Sequence, residues 1–161
     1  MKIAQKIRSG AISPQTLIED SLRRIESLNE VFHAYLATNP YAMGQAQQRG
    51  KELKSGQWRG PLHGMPISIK DLVQTADLPT TAGSKVVSGG INCGQDAALI
   101  KNLREAGAII LGKTNLHEFA YGVTTENFHF GTAVNPWNNR VVAGGSSGGS
   151  AVSVATEMCQ G

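Results

Sequence analysis

The stretch DAALIKNLREAGAIILGKTN, residues 96–115, changes texture halfway along. Behind Asp96, a residue type that caps helix N-termini, Leu99, Ile100 and Leu103 recur at helical spacing. From Ala108 to Leu111 the chain then turns wholly apolar and largely β-branched. A helix running into a strand with no polar face predicts a strand covered on both sides, and such strands are typical of parallel sheets. The expected fold class is α/β, with helices packed over a central sheet.

Within the same stretch, GAIILGKT at 107–114 matches the phosphate-binding pattern GxxxxGK[ST]. That loop works by curling backbone N–H groups around phosphate after its strand has ended. Here the four intervening residues are themselves the strand, so no amide cradle is available. Lys113 is expected to be a structural or solvated lysine at a strand end.

Upstream, Ser13-Pro14 reads as a helix cap and first helical residue, followed by Leu17, Ile18, Leu22, Ile25 and Leu28 on one face. The alternation Phe32, Ala34, Leu36 predicts a half-buried strand, and Asn39-Pro40 opens a second helix through Ala42, Met43, Ala46 and Leu53. Residues 1–55 are expected to form a helical segment packing on the core, joined to the rest by a polar linker at 55–61. Residues 65–69 form a short strand that delivers Lys70. Burial there would disfavour the charged ammonium and leave an amine able to act as a base. Taken alone, Lys70 could equally pair with Asp71. The glycine-rich run at 83–94 is too flexible for the interior of an element.

Downstream, four glycines surround Ser146 and Ser147 in AGGSSGGS, residues 143–150, directly before the small apolar helix expected at 151–158. Such a loop lets backbone approach a reacting centre and turns hydroxyls and amides toward it. A flexible Gly/Ser linker is the competing reading, but linkers rarely run straight into a helix built for tight packing.

Composition narrows the function classes. With 40% hydrophobic and 17% charged residues over 161 positions, a single packed domain is expected. The 15 Lys+Arg against 12 Asp+Glu are scattered, which argues against direct nucleic-acid binding. No apolar run reaches membrane-spanning length, and MKIAQKIRSG is broken by charge before a signal-like block can form. The expectation is a cytoplasmic, unexported protein with Cys93 and Cys159 as free thiols.

At this point the chain resembles the amidase signature family. The matching stretches are GPLHGMPISIKD (60–71), TTAGSK (80–85), the helix-to-strand stretch at 96–115, EFAYG (118–122), NPW (135–137) and GGSSGGSA (144–151). The resemblance implies a mixed central sheet with helices on both faces, residues 60–161 forming the first part of the catalytic domain. It implies an amidase that hydrolyses a carboxylic amide to acid plus ammonia or amine. Lys70 would be the general base, and Ser146, after a cis peptide bond, would relay a proton to a nucleophilic serine. Gly145 and Ser147 would support the loop, and Ala120, Tyr121 and Gly122 would line the acyl side of a small-molecule amide pocket. No metal or organic cofactor is implied, and His63, His117 and His129 are expected to be loop or surface residues.

Two departures stand out. Ala143 replaces a proline frequent before the double glycine. The nucleophile is expected in a later glycine-rich motif, so the isolated chain is expected to be truncated and silent, and a homo-oligomer if the sheet lacks strands. Within the family the alternative is the glutamine-hydrolysing component of a tRNA-dependent amidotransferase, although EFAYGVTTENFHFG looks closer to stand-alone amidases.

Overall fold

A computed structural model of the chain describes residues 2–87, 91 and 94–161. The elements run α1 (Lys2–Arg8), α2 (Pro14–Phe32), β1 (Tyr35–Thr38), α3 (Ala42–Lys54), β2 (Pro66–Lys70), α4 (Ala98–Glu105), β3 (Ile109–Thr114), a 3-10 turn (Glu118–Ala120) and α5 (Gly148–Ala155). The three strands lie in the order β1-β3-β2, with β2 parallel and β1 antiparallel to the central strand. This is the mixed α/β sheet expected.

Strand β3 is buried at all six positions, and its side chains sort by alternation. Ile109 and Leu111 join Ile18, Ile25, Ala42, Ala46 and Val152, so α2, α3 and α5 cover one face. Ile110 meets Ile69 and Ile100 on the other, beneath α4. Because β3 has a strand on each side, its apolar run keeps both neighbours. The outer edge of β2 is itself engaged: Ser68 N–H donates to Gly161 O at 2.7 Å, and Gln160 N–H to Pro66 O at 3.0 Å.

The expected start of α2 holds, since the Ser13 hydroxyl accepts the Thr16 N–H at 3.0 Å with Pro14 in the first turn. The strand read from Phe32, Ala34 and Leu36 is displaced. Phe32 extends the apolar spacing of Ile25 and Leu28, so the helix runs on and ends at His33 in the left-handed region (φ 48°). β1 then begins at Tyr35, whose outward N–H and C=O are both taken by the Asn29 carboxamide, at 2.7 and 3.0 Å.

Asp96 does not cap α4. Its carboxylate accepts from the Ala76 N–H at 2.7 Å and from Arg104 at 3.0 Å, and Arg104 also reaches Asp77 at 2.7 Å. The aspartate thus ties the helix to the loop after β2. Cys159 is a buried free thiol, while Cys93 and part of the glycine-rich run at 83–94 lie outside the described residues.

The segment at 55–61 is anchored rather than loose. Arg59 grips Glu52 with two bonds of 2.7 and 2.8 Å, and Arg49 adds a third at 2.8 Å. His63, expected as a loop or surface residue, lies in a turn but is wholly buried: it accepts the Arg59 N–H and donates to the Arg49 carbonyl. The Arg59 hydrogen bonds hold the Glu52 carboxyl down to about 2. A depressed acid contributes stability above its unfolded value near 4.5 and loses it as pH falls toward 2. Glu52→Gln is therefore expected to cost roughly 3 kcal/mol at pH 7 and to flatten the decline in stability between pH 5 and 2, read by urea melts. An unchanged acid limb would exclude this cluster as its source.

Candidate active site

Ser68 and Lys70 leave β2 toward the α5 face, while Ile67 and Ile69 face α4. Ser68 meets the Tyr35 hydroxyl, and one residue pair further the Lys70 Nζ donates to Ser146 Oγ at 2.7 Å. Both residues are half-buried. Burial pushes the Lys70 amine below the ordinary lysine value.

The alternative pairing of Lys70 with Asp71 is not realised. Successive strand residues point to opposite faces, so Asp71 turns away and lies 3.3 Å from Lys113. Lys113 is wholly buried, not solvated, and donates to Val73 O at 2.6 Å and Thr80 Oγ1 at 2.7 Å. Asp71 Oδ2 accepts from the Thr81 N–H at 3.0 Å and from the Thr81 hydroxyl. This lysine and aspartate fasten the TTAGSK segment to the sheet. Burial lowers the Lys113 amine, and Asp71 opposes that shift.

Ser146 comes to Lys70 because its loop is pinned to the end of β3. The Gly145–Ser146 peptide is cis, and Gly144 takes φ +82°, a conformation that favours glycine. The Ser146 carbonyl accepts the His117 N–H at 3.0 Å. α5 begins at Gly148, earlier than the sequence suggested, and docks through Gly149 N–H to Asn115 O (3.1 Å) and Ser150 to the Thr114 hydroxyl (2.6 Å). A Cβ at Gly149 would sit 2.5 Å from Ala34 O and Asn115 N, so the helix can approach this closely only without one.

The other expected site residues are placed less tightly. Gly145 and Ser147 are exposed, and the Ser147 hydroxyl makes no capping bond to α5. Ala120 closes the 3-10 turn, with Tyr121 and Gly122 just after it, and Tyr121 is 91% exposed, which excludes a core role. Gly122 packs on the His117 ring, which also lies 3.3 Å from the Thr124 hydroxyl through Nδ1. His117 thus links the segment at 120–124 to Ser146, a contact with no motif to announce it. His129 pairs with Glu118 at 3.2 Å.

Chemically, a lysine amine of lowered basicity in a short bond to a hydroxyl has the geometry to exchange a proton with it. Among the described residues no other side chain hydrogen-bonds to either group, no cluster of His, Cys, Asp and Glu is placed to hold a metal ion, and no helix is long and apolar enough to cross a membrane.

The sequence profile of the Amidase family matches residues 16–161. The chain is 41% identical over 160 residues to a component of the glutamyl-tRNA(Gln) amidotransferase of Prochlorococcus marinus, covering 99% of this chain and 33% of that protein. It is 44% identical over 158 residues to the corresponding component from Desulfatibacillum aliphaticivorans, covering 98% and 32%. The crystal structure of the native peptide amidase from Stenotrophomonas maltophilia superposes with a TM-score of 0.91 at 35% identity, covering 98% of this chain and 34% of that one. The chain thus spans about one third of the length of these relatives. With the profile matched over most of its length, the chain belongs to the amidase signature family.

Proposed function

We propose that this chain carries the proton-handling part of an amide-hydrolysing centre. Lys70, whose amine burial makes less basic than an ordinary lysine, acts as base; Ser146 passes the proton between it and a nucleophilic serine that residues beyond these 161 supply. The serine attacks the amide carbonyl, ammonia or an amine leaves, and water releases the acid. The observation that carries this reading is the 2.7 Å bond between Lys70 Nζ and Ser146 Oγ. In this division residues 60–161 contribute the catalytic part, residues 1–55 pack on it, and Ala120, Tyr121 and Gly122 border the substrate.

A second reading, hydrolysis of glutamine within a multi-subunit amidotransferase, is supported by the 41% and 44% identity to two amidotransferase components. Both readings use the same pair and differ in amide and partners.

The isolated chain is expected to turn over no simple amide and to give no burst with an acylating fluorophosphonate. A serine labelled in this chain would overturn that assignment. In a chimera where the chain replaces the matching third of the Prochlorococcus protein, Lys70→Met is expected to lower kcat by about 10²- to 10⁴-fold with little change in KM. The unsubstituted chimera should speed up as pH rises through the lowered amine pKa, because only the neutral amine accepts a proton. An unchanged rate in the Met variant would overturn the reading.

A further inference from the structure

Thr125 is wholly buried in a loop that the catalytic reading leaves unused. Its hydroxyl donates to Gly144 O at 2.7 Å and accepts the Gly148 N–H at 2.8 Å. One side chain therefore holds both ends of the loop whose middle residue is Ser146, and its donor and one acceptor site are both used.

We propose that Thr125 is a positioning residue for Ser146, clamping the ends of its loop so that the serine hydroxyl is held against Lys70. Three further observations fit this clamp. Thr125 adopts φ +58°, a left-handed conformation that β-branched residues rarely take, so packing must hold it there. That packing is visible: the Thr125 carbonyl accepts the Ala133 N–H at 3.2 Å, and buried Asn127 donates to Gly83 O at 2.8 Å and Leu116 O at 3.1 Å. The glycines of the loop are also shaped around it. An added Cβ would meet Thr125 Oγ1 at 2.6 Å from Gly148 and at 2.9 Å from Gly145. The threonine thus occupies space that those two positions leave empty.

Ser146 is fixed from three directions: both loop ends by Thr125, and its own carbonyl by His117. Removing the hydroxyl frees a carbonyl and an N–H at once and lets water reach them. The loop then relaxes, and Lys70 loses its partner and gains hydration. The inference rests on Lys70 and Ser146 being the reactive pair, but its test needs no turnover.

The experiment is competitive acetylation of the full chain across pH, with the reactivity midpoint of Lys70 read by mass spectrometry. Ser146→Ala sets the scale for loss of the contact. Thr125→Val, nearly isosteric, is expected to move the Lys70 midpoint up by about half to one pH unit, and Thr125→Ser to restore it. Thr125→Gly, which suits the backbone but lacks the hydroxyl, should shift it like valine and covers the case in which valine fails to fold. A wild-type midpoint in a folded Val or Gly variant would overturn the proposal, as would a serine variant shifted as far as glycine. If the midpoint shifts as expected while the chimera ignores Lys70→Met, the clamp stands and the catalytic reading falls.

Discussion

Lys113→Met is expected to remove about 3–5 kcal/mol of folding stability, enough to leave the chain largely unfolded at moderate urea. The reason is what remains behind. Lys113 is wholly buried, donates to Val73 O and Thr80 Oγ1, and forms an ion pair with Asp71 at 3.3 Å. Methionine fills much of the volume but strands a carbonyl and a hydroxyl, and leaves the Asp71 carboxylate without its cation. Asp71 keeps its bonds from Thr81, so its charge rather than its shape becomes the problem. The double variant Asp71→Asn with Lys113→Met should therefore be more stable than Lys113→Met alone. Urea denaturation followed by far-ultraviolet circular dichroism gives both numbers. A loss under about 1 kcal/mol for the single variant would show that the pair does not hold the TTAGSK segment to the sheet.

Gly149→Ala is the second large effect, and it separates stability from site geometry. The added methyl would enter backbone on two sides, 2.5 Å from Ala34 O and from Asn115 N. Backbone at the end of a central strand cannot yield cheaply, so α5 must back away. The expected cost is about 3 kcal/mol. Because α5 starts just after Ser146, the retreat also lengthens the contact with Lys70. In the chimera, kcat should fall further than the stability loss explains at temperatures where the variant is fully folded. Activity equal to the parent under those conditions would mean that helix docking does not set the Ser146 position. Gly145→Ala probes the other flank, where an added Cβ would meet Thr124 N, Thr125 N and Thr125 Oγ1 at 2.9 Å.

The central strand is legible in the sequence because its signal is collective: a run of apolar β-branched residues has one stable place in an α/β fold. Lys70 and Ser146 stand out because glycine-rich loops and strand-end lysines are rare enough to notice, and the family resemblance joins them. What stays hidden depends on partners distant in sequence. Lys113 reads only as a structural or solvated lysine at a strand end, and the structural alternative is settled when Asp71, Val73 and Thr80 are seen around it. Asp96 has the right identity for a cap, yet Ala76 N–H and Arg104 compete better for its carboxylate. Phe32 suits a strand by alternation and a helix by spacing, and the preceding turns of helix decide the matter. His63 looks like any loop histidine until its ring is found between Arg49 and Arg59. Thr125 carries no motif signal, because its importance lies in where two other segments pass.

The Asn29 carboxamide at the rim of the sheet has a consequence for how copies of this chain meet. By offering its own donor and acceptor to the main chain of Tyr35, it stands in for a neighbouring strand one residue long. A second molecule trying to extend the sheet past β1 finds that one position already taken, which makes this end of the edge a poorer template for strand addition.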